Sequence, residues 1–265
     1  MLRKYSNSRT LADNLKLGSL TAFAAGMVNI GSLMIFFAFS SNVTGHYAIL
    51  ASEIVKGNVY QVAVVFAWIF LFFFGSFTSN YIVIHTKKER ALLGHSIPLL
   101  IEIGCLLIVG IYGQYYYQET LTETEALLCL MLFSMGLQNG LTASISNSKV
   151  KTTHLTGATT DLGMLVSMLT KKEFRAKKEI RDKTKLLSVI ATSYLSGGIF
   201  SGFVYLSIGF KMFYVVCSLL VCVIIYDIFK IFSVKLKDSK RKASHKTVGL
   251  KRIGSNSKKD EVPAY

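Results

Sequence analysis

The sequence predicts an all-α integral membrane protein: six transmembrane helices in a 3+3 repeat, inverted, with two short half-helices or re-entrant segments. Three observations carry this. First, the 265 residues are 51% hydrophobic and only 17% charged, with a mean hydropathy of +0.44, against roughly 25% charge in a soluble domain. Second, the apolar residues fall in long uncharged runs, each near the about 20 residues needed to cross a core about 30 Å thick. Third, the Lys and Arg residues that produce the net charge of +15 are concentrated in alternate connections.

Taken in order, residues 1–16 carry Arg3, Lys4, Arg9 and Lys16 ahead of the first span, residues 17–39. That run is too long for the apolar region of a cleaved signal peptide, so it reads as a retained anchor. Residues 42–56 are polar in part and too short to span. The second span, residues 59–84, is the most apolar, with Trp68, Phe70, Phe72, Phe73 and Phe74. After Lys87, Lys88 and Arg90 comes the third, residues 96–115, with Glu102 inside it. These elements make a first half, 17–115. The second half, 126–232, repeats the order: a span at 126–147, a short segment at 154–169, and spans at 186–208 and 212–232, the last containing Asp227. Lys230, three residues on, is a local partner for Asp227 on one helix face. Residues 233–265 form a basic tail whose Ser, Gly and Lys content suits disorder and contact with anionic lipid.

Orientation follows from the loops. The connection after the third span carries Glu119, Glu123 and Glu125 and no basic residue, and that after the fifth carries only Lys211. The segment after the fourth span carries Lys149, Lys151, Lys171, Lys172, Arg175, Lys177, Lys178, Arg181, Lys183 and Lys185. Six crossings of a plasma membrane with both termini cytoplasmic satisfy this pattern. The positive charge is thus a topology signal and not a nucleic-acid footprint.

The halves share a motif. Gly26-Met27-Val28-Asn29 precedes Val43-Thr44-Gly45, and Gly136-Leu137-Gln138-Asn139 precedes Leu155-Thr156-Gly157. Three spans per half reverse the second half relative to the first, the arrangement of many transporters and channels. The short segments are then expected to meet near the midplane, where their free N–H and C=O ends bind a solute or ion. If both crossed fully, eight spans and a parallel repeat would result; the basic flanks of 154–169 argue against that.

Met135-Gly136-Leu137-Gln138-Asn139 with Thr152-Thr153-His154-Leu155-Thr156-Gly157 resembles a signature of the YoaK-like bacterial membrane-protein family, a domain of unknown function. Asn42-Val43-Thr44-Gly45 resembles its first signature. The resemblance covers residues 15–232 and implies about six spans without a substrate. Two positions depart from it: Asn29 stands where the family carries Asp, and His46 where it carries Asn. Proton coupling through the first span is thereby in doubt.

Candidate path residues are Asn29, Thr44, Gly45, Glu102, Gln138, Asn139, Thr156, Gly157 and Asp161. Polar groups in a bilayer need a partner or a purpose. For the amides the alternative is bridging helices; for the Thr-Gly pairs it is ordinary helix capping; for Asp161 it is a surface position. His46 and His154 flank the Thr-Gly motifs as candidate protonation switches. Asn29, Thr44, Gln138, Asn139 and Thr156 are expected to converge on one polar site near Glu102, suited to a small, neutral or weakly polar solute. Small-residue ridges at Ala22/Gly26, Gly136/Gly140 and Gly198/Gly202 point to close helix packing between the halves, or to a homo-oligomer face. The four cysteines lie in apolar runs and read as buried thiols. No protease, P-loop, serine-hydrolase or metal spacing occurs, so neither an enzyme nor a cofactor is expected. A transporter or channel for a small solute is the leading reading; a membrane scaffold or sensor is the other.

Overall fold

Two capping boxes set the frame. Thr10 and Asp13 exchange side-chain and backbone hydrogen bonds to start α1 (Leu11–Phe36), and Thr120 and Glu123 do the same for α5 (Leu121–Ser146). Each cap satisfies N–H groups that would otherwise be orphaned and is worth about 1 kcal/mol. Both helices have 26 residues, and both end on a left-handed residue, Phe37 and Asn147. The caps lie outside the apolar runs, so α1 and α5 begin several residues before the expected spans at 17 and 126.

The computed structural model describes residues 9–226 together with Leu2, Ile228 and Phe229. All regular structure among them is helical: α2 (Val43–Lys56), α3 (Val59–His85), α4 (Ala91–Tyr115), α6 (Leu155–Leu169), the short α7 (Lys172–Ala176), α8 (Lys178–Ile208) and α9 (residues 212–226). Contacts divide the chain into units Met1–Ile224 and Ile225–Tyr265. In the second unit, Ile225, Tyr226, Ile228 and Phe229 are helical and exposed. The expected Asp227–Lys230 pair and the basic tail fall outside the described residues.

Five helical runs among the described residues are long and apolar enough to cross a membrane: α1, α3, α4, α5 and Lys178–Tyr226. The last holds both the expected fifth and sixth spans. Its 49 residues would reach about 73 Å if straight. It is broken at Gly209–Lys211, where Gly209 has φ +58°. Ser201 Oγ lies 3.5 Å from Met212 Sδ, so the chain turns back there. Pro98 inside α4 does not stop that helix, which starts at Ala91 and not at the expected residue 96.

α1 packs parallel to α8 and α3 parallel to α5. On the first pair, Gly18 meets Ile190, Gly26 meets the Tyr194 carbonyl, and Gly31 faces Ser201. On the second, Tyr60 bonds Glu125, Ser76 Oγ donates to the Gly136 carbonyl, and Ser144 Oγ donates to Asn80 Oδ1. Helices come this close because glycine lies against backbone. A methyl on Gly26 would strike the Tyr194 carbonyl, and one on Gly197 the Phe23 carbonyl. Likewise Gly136 lies on the Phe72 carbonyl and Gly75 on the Phe133 carbonyl. The expected ridge residues Gly26, Gly136, Gly140 and Gly198 all lie at these two contacts; Gly75 and Gly197 are further members. α9 runs antiparallel to α4, with Phe213 against Gly110 and Cys217 Sγ donating to the Ile103 carbonyl at 3.7 Å.

The two short segments are helices of 14 and 15 residues, about 21–23 Å long and short of the core thickness. α2 packs on α3, and α6 on α8 and α7; α2 and α6 do not touch. The expected meeting of the short segments at the midplane is therefore corrected. Each buries only one residue, His46 or Leu165, too little apolar surface to draw it into the bundle. The outer face of α3 is apolar: Phe70, Phe73, Phe74, Phe77 and Tyr81 are exposed and form a run of ring contacts. Such a surface suits lipid.

Candidate functional site

Asn29 is buried near the end of α1. Its Nδ2 donates to Tyr194 Oη at 2.6 Å, and its Oδ1 accepts from Ser41 Oγ at 2.9 Å and Ser40 Oγ at 3.4 Å. The amide therefore ties the α1–α2 connection and α8 to one point. Asn139 does similar work on α5. Its Oδ1 accepts from Thr152 Oγ1 at 3.2 Å, and its Nδ2 donates to the Met135 carbonyl at 2.9 Å. Thr152 belongs to the connection leading into α6. In both halves, then, the Asn of the Gly-x-x-Asn motif anchors the loop before the short helix.

Gln138 bridges α5 to α1 by donating from Nε2 to the Thr21 carbonyl at 3.2 Å, while its Oε1 is buried without a partner among the described residues. Glu102 has no exposed surface, and neither carboxylate oxygen has a hydrogen-bond partner among the described residues. Thr44 and Thr156 are exposed. Gly45 N–H donates to Asn42 Oδ1 at 3.2 Å, so Asn42, not Thr44, caps α2. Gly157 faces open space. Asp161 pairs with Lys183 at 2.9 Å, joining α6 to α8. His46 is buried against Trp68, ring centroids 5.4 Å apart. Burial pushes its imidazole below the ordinary histidine value, and the Phe39 carbonyl partly opposes that.

The hydrogen bonds and helix contacts of the described residues do not join the residues expected to converge into one site. Among the described residues Asn29 and Asn139 share no hydrogen-bond partner, and the Thr-Gly pairs lie on helices that do not touch. Gly157 and Asp161 instead help line a cavity of about 810 Å³ between the starts of α1, α6 and α8, with Lys149, Lys151, His154 and Lys178 among its other walls. No single sequence motif announces that cavity, because its residues come from three separate stretches of the chain. Sequence reasoning also missed Tyr194, Ser40, Ser41 and Thr152, although a hydroxyl just before each short segment is a readable signal for an amide partner. Among the described residues, no cluster of three or more His, Cys, Asp or Glu is arranged to hold a metal.

A family model described as "Protein of unknown function (DUF1275)" matches residues 17–226. No curated protein and no solved structure matches the chain.

Proposed function

The chain belongs to the DUF1275 family, which includes the YoaK family, and from that premise and the helix packing we propose that it is a small membrane transporter or channel built as an inverted repeat. In this reading it has six spans, with the run Lys178–Tyr226 crossing twice, and both termini are cytoplasmic in a plasma membrane. It acts on a small solute and performs no enzymatic chemistry.

The observation that carries the reading is a register. Phe23 and Phe133, Gly26 and Gly136, and the caps Thr10 and Thr120 all differ by 110 positions. Phe72 and Tyr194, and Gly75 and Gly197, all differ by 122. With those offsets the α1–α8 contacts map onto the α5–α3 contacts residue for residue. Parallel packing of the first helix of each half on a helix of the other is what an inverted repeat demands, and such repeats typify carriers. The cavity beside α6 and α8 then serves as the cytoplasmic mouth, with the Asp161–Lys183 pair across it.

The scaffold reading is favoured by one observation: each motif amide is occupied with the loop before its own short helix, Asn29 with Ser40 and Ser41 and Asn139 with Thr152. Vesicle flux separates the two. The full chain, with Cys222→Ser to remove an exposed thiol and Ser148→Cys on the cavity wall, is placed in liposomes and tested with polyols, amino acids and sugars. Flux of at least one class that stops when a bulky maleimide modifies position 148 supports a transporter. Vesicles no more permeable than empty ones to every class support the scaffold.

A further inference from the structure

Glu102 occupies the middle of α4 with none of its side chain exposed and with both carboxylate oxygens unbonded by any described residue. Leu99, Ile103 and Leu106, its neighbours along the helix, are buried aliphatics. α9 covers the same stretch through Cys217 on the Ile103 carbonyl. The titratable groups beside Glu102 are the thiols of Cys105 and Cys217.

No described cation balances it. On α5, Glu123 and Glu125 are engaged by Tyr112, Tyr60 and Gln61. Tyr112 is ten residues along α4 from Glu102, about 15 Å of helix. On α3, His85 is the final residue and faces the Tyr81 carbonyl. Lys211 follows Phe210, which packs on Gly113, further still from Glu102. His95, two turns earlier on α4, meets the Leu2 carbonyl.

An ionised carboxylate without a counter-charge in such surroundings is strongly disfavoured against its neutral form. A metal cation would need a cage of oxygen ligands, and the side chains named here, Leu99, Ile103, Leu106, Cys105 and Cys217, supply none. A proton needs no cage, because it neutralises the group where it stands. We propose that Glu102 is a proton-binding site in the middle of the bundle, loaded in this packing and released when α9 parts from α4 and admits water. Loading rests on burial alone, whereas release rests on the transport reading above. The step is an acid dissociation: the carboxyl O–H bond breaks, its electron pair stays on the oxygen, and water takes the proton.

The test uses the full chain in lipid nanodiscs and the lipid-soluble reagent dicyclohexylcarbodiimide. A carboxylic acid protonates a nitrogen of this reagent, its oxygen adds to the central carbon, and rearrangement gives a stable N-acylurea. Peptide mass spectrometry at neutral pH is expected to find this adduct on Glu102. A water-soluble carbodiimide is expected to leave Glu102 unmodified, and Glu102→Gln to remove the adduct. The reading is made on wild-type protein, so an unstable variant does not blur it. An unmodified Glu102 in a recovered peptide overturns the proposal. An adduct without solute flux for any panel class keeps the proton site and sinks the transport reading. Flux that ignores both an imposed pH gradient and Glu102→Gln overturns release while leaving transport intact.

Discussion

At the scale of single residues, the molecule treats its polar groups in two ways. Asn29 and Asn139 each bond through both the oxygen and the nitrogen of the amide, whereas among the described residues Glu102 and the Gln138 oxygen find no partner. The types and positions of these residues were legible in the sequence; their partners were not, because Tyr194 is 165 positions from Asn29 and nothing local announces the pairing. His46 gives a pH prediction. Burial lowers its pKa, so the unfolded chain takes up the proton at a higher pH than the folded one. Its contribution to stability is full above about 6.5 and is lost as pH falls below that value toward its folded pKa. Unfolding in detergent across this range should show that loss, and His46→Gln should flatten it. An unchanged slope in the variant would assign the pH dependence elsewhere.

At the scale of elements, hydrophobic runs located every long helix, and two short polar stretches located α2 and α6. Helix starts were read late at α1 and α5 because apolar runs mark the bilayer-facing part, while the capping boxes lie upstream in polar sequence. The [ST]-x-x-[DE] signature is present at Thr10–Asp13 and Thr120–Glu123 and was readable. Thr10→Ala and Thr120→Ala should each cost about 1 kcal/mol of stability. The caps share no partner, so the double variant should add. Chemical unfolding in mixed micelles measures this, and a double variant no worse than either single one would show that the ends fray before the bundle opens. The placement of α2 against α3 and of α6 against α8 is not legible for a different reason. Sequence shows that a segment is too short to span, but not which helix it leans on.

For the whole molecule, the charge asymmetry yields a topology prediction. A cysteine placed between Lys171 and Lys185, in a background lacking Cys222, should resist a membrane-impermeant maleimide added outside intact cells and react once the cells are opened. Ready labelling from outside would reverse the orientation. The pairing of helices was only partly legible: motif repetition hinted at related halves, but the intimate partners α1 and α8 are joined by no local pattern. That pairing has a consequence for synthesis. The first residue of α8 enters the chain 142 positions after the last residue of α1, Phe36 to Lys178. At about 5–20 residues per second the delay is roughly 7–30 s. Throughout it, the glycine face of α1 and the Nδ2 donor of Asn29 wait in the nascent chain without α8, whereas α3 meets α5 much sooner. A ribosome stalled before α8 therefore leaves an orphaned first helix, the feature by which a membrane quality-control protease would recognise an unfinished molecule.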